Sequence, residues 1–595
     1  MSQLQILRAA STRSDVAVLL QFKPQALAYI LHVLPPSSKY QAFKIAKRNG
    51  NVREIHAPSP ELKLMQRRLC DLLQNCVAEI NEQKNFRDQL SHGFKRGKTI
   101  ITNATKHRKR RFVFNLDLKD FFPAINFGRV RGFFIKDANF MLHPAVATVI
   151  AQIACFNNEL PQGSPCSPVI SNLIAHPLDL HLCKIASVNG CTYSRYADDI
   201  TFSTNRFEFP AGIATPSASD PHLWQVGHDV EEAIAHSGFA INPTKTRMQY
   251  KHSRQAVTGL VVNRKANVRA DYRRAARIMA LRLFATGAYQ HIRTIANANG
   301  VLTPTLVDGT LRQLAGKFAH INRVDKDNAD KEEKTELKKG ESQTTLRAKE
   351  KLYRRFLLFK EFYSADAPII VCEGKTDNVY LLHAIRGLAQ LYPQLATVSP
   401  SGEIKLTIRI LKTLGSTVGR VFRLGEGSAD LAGLIDQYLP ELQRFKAPGI
   451  MKNPAILLFD NDDAAESVYE KIRKLTKNKS ISKGDPFVHV AGNLYVVVTP
   501  LKSGKTKTTI EDCFADEIIN LNLGGKVFSS SNKADPSKYF GKHILSQYVR
   551  QNAAKIDFTG FTGLLDRIIA VISHYQSLQV SAGANGVSEP AELQP

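Results

Sequence analysis

Asp198 and Asp199 follow Tyr196-Ala197 between strand-like flanks at 192–195 and 200–203, which places two adjacent carboxylates at a hairpin tip. Like charges side by side are unfavourable unless a cation neutralises them, so the pair suits a divalent metal; taken alone, Asp-Asp is also an ordinary turn. Asp117 follows the apolar run 111–116, and a strand end beside a hairpin tip brings a third carboxylate to the same place. Three acids so arranged fit two-metal phosphodiester formation, one ion activating a 3′-hydroxyl and the other holding a triphosphate and its leaving pyrophosphate. Between them lies Leu160-Pro161-Gln162-Gly163-Ser164-Pro165-Cys166-Ser167-Pro168, where Gly163 permits close backbone approach to a nucleotide and Gln162 offers an amide.

A second acidic set stands in the other half of the chain. Glu373 follows the apolar run 368–372, and Asp460 and Asp462 follow the run 455–459; a third run is 494–498. Helical pattern at 378–391 between them predicts a mostly parallel sheet, and acids at neighbouring strand ends converge on the crevice where such sheets bind ligands, here a second Mg²⁺ site. Glu511-Asp512 adds either an outer ligand or a solvated acidic turn. The plain readings are charge compensation at a helix start for Glu373 and a polar turn for 460–463. Gly374-Lys375-Thr376 and Gly504-Lys505-Thr506 end like phosphate loops, but the required earlier glycine would fall at Ile369 and Thr499, so no ATPase is expected.

The elements that must position these acids lie in a chain of 595 residues, enough for about three or four domains at ~100–200 residues each. Helices are expected at 61–80 and 229–237, strands at 111–116 and 192–203. The charged, apolar-poor stretch 325–350 reads as a linker or insertion, and 581–595 as a frayed tail. Lys and Arg total 80 against 53 Asp and Glu, a net charge of +27, which points to a polyanionic partner, nucleic acid before membrane. A run without acids holds Lys95, Arg96, Lys98, Lys106, Arg108, Lys109, Arg110 and Arg111, suited to phosphate contacts, with Asn85-Phe86 and His92-Gly93-Phe94 beside it for stacking. A second basic face is expected at 269–282. No basic n-region precedes an apolar core at the start, and the longest apolar stretch, 144–156, is too short to span a bilayer, so a soluble, cytoplasmic protein is expected. The eight cysteines form no CxxC pair or zinc grid and read as reduced thiols.

Taken in order, Asp117 with Phe121-Phe122, the segment 160–168, Tyr196-Ala197-Asp198-Asp199, and Gly238-Phe239-Ala240-Ile241-Asn242 with Lys245-Thr246 resemble motifs A to D of reverse transcriptases. Asn103-Ala104-Thr105-Lys106-His107 resembles the NAxxH element of retron enzymes, and Val257-Thr258-Gly259 their VTG element. Glu373-Gly374-Lys375-Thr376-Asp377 with Asp460-Asn461-Asp462 is similar to a Toprim domain, as in topoisomerases, primases and overcoming-lysogenization-defect-type nucleases. The resemblance implies an α+β right-hand polymerase of fingers, palm and thumb followed by an α/β Toprim domain. Its parts would be an N-terminal region and fingers (1–90), fingers and palm (91–263), thumb (264–324), linker (325–350), Toprim domain (351–580) and tail (581–595).

It further implies Mg²⁺, with Mn²⁺ an admissible substitute, on Asp117, Asp198 and Asp199 and on Glu373, Asp460 and Asp462. Gln162 and Gly163 would meet the incoming dNTP, Phe122 would exclude a 2′-hydroxyl, and Lys245 would give a proton to pyrophosphate. Their plain readings are a core aromatic beside Phe121 and an exposed lysine. Lys95, Arg96, Lys98, Asn103, His107, Arg108, Lys109, Arg110, Val257, Thr258 and Gly259 would bind RNA. The implied function is synthesis of a branched RNA–DNA hybrid (msDNA) from a structured non-coding RNA that is both primer and template. A fused Toprim nuclease would act as effector in bacterial antiphage defence, and a homo-oligomer is compatible with this. The second reading is a reverse transcriptase of another mobile-element class, like group II introns, whose Toprim-like domain binds nucleic acid without catalysis.

Overall fold

The computed structural model describes residues 2–46, 52–85, 88–218, 220, 223–296, 302–336, 348–413, 415–425, 427–530 and 535–584. Phe86, the middle of the expected linker (337–347) and most of the expected tail (585–595) lie outside the described residues. The chain divides into two compact units: Met1–Arg274 with Ile292–Leu306 and Arg323–Ser342, and Ala275–His291 with Val307–Asn322 and Gln343–Pro595.

In the first unit the central strand Phe112–Lys119 pairs antiparallel with Asp199–Thr204 on one side and with Arg247–Tyr250 and Ala240–Ile241 on the other; Thr192–Tyr196 lies outside Asp199–Thr204. Phe114, Leu116 and Leu118 alternate along it and enter one core with Ile150 and Ile153 of the helix Pro144–Ala154 and Ile170 of the helix Ser167–Ile174. The strand runs two residues beyond Asp117, because Leu118 pairs with Ile241 and Lys119 with Ala240; Asp117 therefore sits within a strand and not at its end. The helix Pro60–Gln83 starts at Ser59, whose hydroxyl accepts from the Leu62 amide, and buries Leu62, Met65, Leu69, Leu72, Leu73 and Cys76 on one stripe.

The second unit holds a five-stranded sheet in the order Arg409–Ile410, Ile369–Cys372, Ala455–Phe459, Leu494–Val498, Val488–Ala491. The first three pairings are parallel and the last is antiparallel. The three inner strands are buried throughout, as continuous apolar runs demand when both faces are covered. The helix after the first of these is Asp377–Gly387, shorter than the expected 378–391.

Two expected boundaries differ from the fold. The helix Ala270–Thr286 is shared between the units, and in the second Phe284 lies 5.4 Å from Phe359 and 5.3 Å from Phe445, ring to ring, so the segment 264–324 is not one body. The charged stretch from 325 opens as the continuation of the helix Leu311–Glu336. All eight cysteines are free thiols. Among the described residues no single helix is long and apolar enough to cross a membrane.

Candidate active sites

The antiparallel register sets Asp117 directly opposite Asp199, and Tyr196 pairs with Asp199 across the two-residue turn Ala197-Asp198. Ala197 takes φ 56°, a left-handed conformation that costs a non-glycine residue about 1 kcal/mol and must be held from outside. The hold is visible. Arg195, fully buried, donates Nη1–H to the Ala197 carbonyl at 3.0 Å and grips Asp179, also fully buried, through Nε and Nη2, both at 2.7 Å. Tyr193 donates its hydroxyl to the same Asp179 at 2.7 Å. The Leu118 amide donates to the Asp198 carbonyl at 3.0 Å, which fixes the turn to the central strand.

Burial pushes the Asp198 carboxyl up, with Asp117 adding to it. Asp199 is raised to about 6, first by desolvation and then by Asp198 and Asp117, even though part of its side chain meets solvent. Lys245 Nζ donates to both oxygens of Asp117, at 2.8 and 2.9 Å, and Asn242 Nδ2 donates to Oδ2 at 3.1 Å. Among the described residues no three acidic, histidine or cysteine side chains already form a metal cage. The donor set is nevertheless all carboxylate oxygen, the chemistry of a hard cation such as Mg²⁺; Asp198 and Asp199 are raised first by burial and then by neighbouring carboxylates, a repulsion that a cation would relieve.

Phe121 is buried, stacked on Phe239 at 5.4 Å, whereas Phe122 beside it is only partly buried, which leaves Phe122 as the aromatic able to line a pocket. Gly163 is needed for another reason than expected. At φ +124°, a Cβ there would lie 2.6 Å from the His56 carbonyl oxygen, and the Gln162 carbonyl accepts from the His56 amide at 2.9 Å, so the close approach is to the strand Val52–Pro58. The Gln162 side chain remains partly exposed.

The expected RNA-recognition residues separate into two groups. Asn103 and His107 have no exposed surface. His107 bridges Ser203 through Nδ1 and Ser194 through Nε2, each at 2.7 Å, and Ser194 donates to Asn103 Oδ1 at 2.7 Å. These two side chains therefore present no surface to a partner and hold the helix Ile100–Lys106 to the strand Thr192–Tyr196 and its neighbour, and Val257 is likewise fully buried. Thr258 and Gly259, both at positive φ, make the two-residue turn between Ala256–Val257 and Leu260–Val261, and Thr258 donates to the Ile100 carbonyl at 3.1 Å; the VTG turn thus rests on the helix Ile100–Lys106 that carries NAxx. Arg108 and Lys109 are exposed, Arg110 donates to Thr192 Oγ1 at 3.0 Å, Lys95 pairs with Asp88, and Arg96 reaches Asn75 Oδ1 at 2.7 Å.

In the second unit Glu373 and Asp460 follow neighbouring parallel strands, and the Glu373 amide donates to the Leu458 carbonyl at 3.1 Å. Asn461 and Thr508 exchange backbone hydrogen bonds at 2.8 and 3.0 Å, which brings the segment 508–511 to the strand end. There the Ile510 amide donates to Asp460 Oδ1 at 2.8 Å and Glu511 becomes buried, with Lys542 Nζ 3.0 Å from its Oε2. Asp460 is raised to about 8 by desolvation, then by Asp377 and Glu511; Glu373 and Glu511 are raised too, in both cases first by burial. Glu373 Oε2 and Glu511 Oε1 are buried with no hydrogen-bond partner.

Asp462 sits differently from the others. Its Oδ1 accepts from the amides of Ala464 and Ala465 and caps the helix Asp463–Thr476, so one oxygen of this expected ligand is occupied. Two residues absent from the expected set belong to the crevice, Asp377, which accepts from the Gly374 amide at 2.7 Å, and Lys542; Glu511, expected as either an outer ligand or a solvated turn, is buried there beside Lys542. Asp377 stood in the quoted motif as its last letter; Lys542 had no signal in the sequence.

A sheet carrying three carboxylates on a turn and its neighbouring strands resembles in outline the palm of a nucleotide polymerase. Residues 45–263 match the sequence profile of the family Reverse transcriptase (RNA-dependent DNA polymerase), a match that implies a palm-fingers-thumb polymerase fold. The chain is 35% identical over 245 residues to Retron Mx162 reverse transcriptase of Myxococcus xanthus, covering 38% of this chain and 48% of that protein. It is 35% identical over 242 residues to Retron Mx65 reverse transcriptase of the same organism, covering 38% and 51%, and 32% identical over 227 residues to Retron Ec86 reverse transcriptase of Escherichia coli, covering 38% and 63%. The chain thus spans about half to three fifths of the length of these relatives. The matches support kinship of this segment with retron reverse transcriptases, and reverse transcriptases generally use Mg²⁺ at the polymerase site.

Proposed function

We propose that the first unit is an RNA-directed DNA polymerase of retron type, which copies a structured non-coding RNA, its own primer and template, into DNA and yields a branched RNA–DNA hybrid. The observation that carries this is the register of Asp117 against Asp199 beneath a turn fixed by Arg195, within a segment similar to retron reverse transcriptases. Asp117, Asp198 and Asp199 would hold Mg²⁺, which when bound activates the 3′-hydroxyl and neutralises the triphosphate. Phe122 excludes a ribose 2′-hydroxyl, Gln162 contacts the dNTP, and Lys245, released from Asp117, gives a proton to the leaving pyrophosphate. Arg108, Lys109 and their basic neighbours neutralise phosphates of the RNA and its DNA product.

The second unit is proposed as a Toprim-type nuclease effector of antiphage defence, with Glu373, Asp460 and the free oxygen of Asp462 as the Mg²⁺ ligands. Support comes from the unpartnered buried oxygens and raised carboxyls at the ends of parallel strands. Sequencing the nucleic acid that co-purifies with the full chain tests the polymerase reading: a covalently joined RNA–DNA species is expected, and nucleic acid without a DNA component would contradict it. For the effector, Glu373→Ala is expected to remove toxicity while DNA synthesis continues; loss of synthesis in that variant would make the unit structural.

A further inference from the structure

Four separated segments of the first unit line a pocket of about 410 Å³: the helix Pro60–Gln83, the loop 88–98, the helix Phe127–Lys136 with the turn after it, and the segment 169–177, from the helix Ser167–Ile174 into the start of the helix His176–Val188. Its floor is apolar, made by Val77, Ile80, Phe133, Phe140 and Leu173. Its rim is cationic, with Lys84, Lys95, Arg96 and Lys98 against two carboxylates, Asp88 and Asp137. Asp88 is taken by Lys95, Arg96 lies 3.7 Å from Asp71 outside the pocket, and Asp137 Oδ1 accepts the Asn139 amide at 2.9 Å. Among the described residues Lys98 has no ion-pair partner and the Asn81 side chain, in the wall, no hydrogen bond, so the rim keeps an excess of positive charge and an unused amide.

The mouth of this pocket is fixed relative to the catalytic turn. The His92 amide donates to the Arg195 carbonyl at 2.8 Å, the Arg195 amide donates to the Leu90 carbonyl at 2.9 Å, and a Cβ on Gly93 would lie 2.6 Å from the Ala197 nitrogen. Phe94, next in the loop, is 45% exposed at φ 57°, with its ring centroid 6.3 Å from both Phe122 and Tyr196. A strained, exposed aromatic bridging pocket and active site is an expensive feature for a structural role alone. An apolar floor accepts a flat base, an exposed ring offers a stacking face, and a cationic rim accepts phosphate. An apolar protein side chain would leave that rim unmatched.

We infer that this pocket receives one unpaired nucleotide of the nucleic-acid strand serving the site, with its base against Val77, Ile80 and Leu173 and its phosphate on the Lys95–Lys98 rim. The volume suits a single nucleotide. The inference rests on the polymerase reading only for the source of the strand.

The probe is a set of ribonucleoside 5′-monophosphates titrated onto the full chain in EDTA and followed by ligand-observed NMR, with ribose 5-phosphate as the baseless control. Saturable binding at least about tenfold tighter than the control is expected, the low end of what base stacking provides. The Asp198→Asn, Asp199→Asn double variant should bind equally well. Val77→Trp fills the floor and should weaken binding about tenfold or more; Asn81→Asp, nearly isosteric and gentle on folding, should weaken it by placing a negative charge near the phosphate. Both pocket variants should still extend oligo(dT) on poly(rA). Unchanged binding in the pocket variants, or no preference over ribose 5-phosphate, overturns the inference. Nucleotide binding through the pocket by a chain that cannot extend oligo(dT) upholds it and counts against the polymerase reading alone.

Discussion

The ammonium of Lys245 holds both carboxylate oxygens of Asp117, at 2.8 and 2.9 Å, directly across the sheet from Asp199. A cation entering this site must take Asp117 away from Lys245, so the lysine both competes with the metal and becomes available as an acid once displaced. Lys245→Ala should lower the Mg²⁺ concentration at half-maximal primer extension and, at saturating Mg²⁺, reduce the rate about a hundredfold, the low end for a lost general acid. A lower Mg²⁺ requirement with an unchanged saturated rate would leave Lys245 as a counter-ion only.

Arg195 and Asp179 form an ion pair with no exposed surface on either side. Removing one partner leaves an uncompensated buried charge, which costs about 3–5 kcal/mol. Arg195→Ala should shift the first unit's denaturant midpoint accordingly. Arg195→Lys cannot reproduce the two-pronged grip together with the bond to the Ala197 carbonyl, so it should retain less than full activity even where it folds. An Arg195→Ala variant of unchanged stability would contradict the assignment.

Desolvation, with Lys106 and Arg110 adding to it, holds His107 well below its ordinary value, so the ring is neutral at physiological pH and serves Ser194 and Ser203 by hydrogen bonding. His107→Ala should cost about 1–3 kcal/mol of stability through the polar groups it leaves unpaired. RNA affinity measured on the folded fraction should change little. A large loss of affinity at unchanged stability would restore a direct contact.

Asp460, raised from its ordinary 3.8 to about 8, keeps in the folded chain a proton that the unfolded chain has lost between roughly pH 4 and pH 8. Stability from this group therefore falls as pH rises through that window and is level on either side. In EDTA the melting temperature of the second unit should drop from pH 5 to pH 8, and Asp460→Asn should flatten the slope. A divalent cation requires the deprotonated form, so its stabilising effect should grow with pH. An undiminished slope in Asp460→Asn would contradict this.

The acids of both crevices were legible because strand patterning and chain order locate Asp117, Asp198, Asp199, Glu373 and Asp460 without tertiary information. The partners that tune them were not. Glu511, which read equally as an outer ligand or a solvated turn, and Lys542, which carried no signal, reach Asp460 only through the Asn461–Thr508 bridge and a helix start some 80 residues downstream, contacts that no local period encodes. Asp462 read as a ligand from its spacing, and the following helix claims one of its oxygens as a cap. The segment from 325 read as a linker from its charge, yet the helix is established earlier, at Leu314, Phe318, Ile321 and Val324, and propagates into the polar stretch at little cost. His107 carried a motif but no mark of burial, since a neutral histidine between two serines resembles a surface one in sequence.

Extension of an oligo(dT) primer on poly(rA) by the full chain, compared with its Asp198→Asn, Asp199→Asn double variant, tests the central claim most directly. Mg²⁺-dependent DNA synthesis by the unaltered chain and none by the variant is expected, with both equally folded. DNA synthesis by the double variant at the rate of the unaltered chain would contradict it.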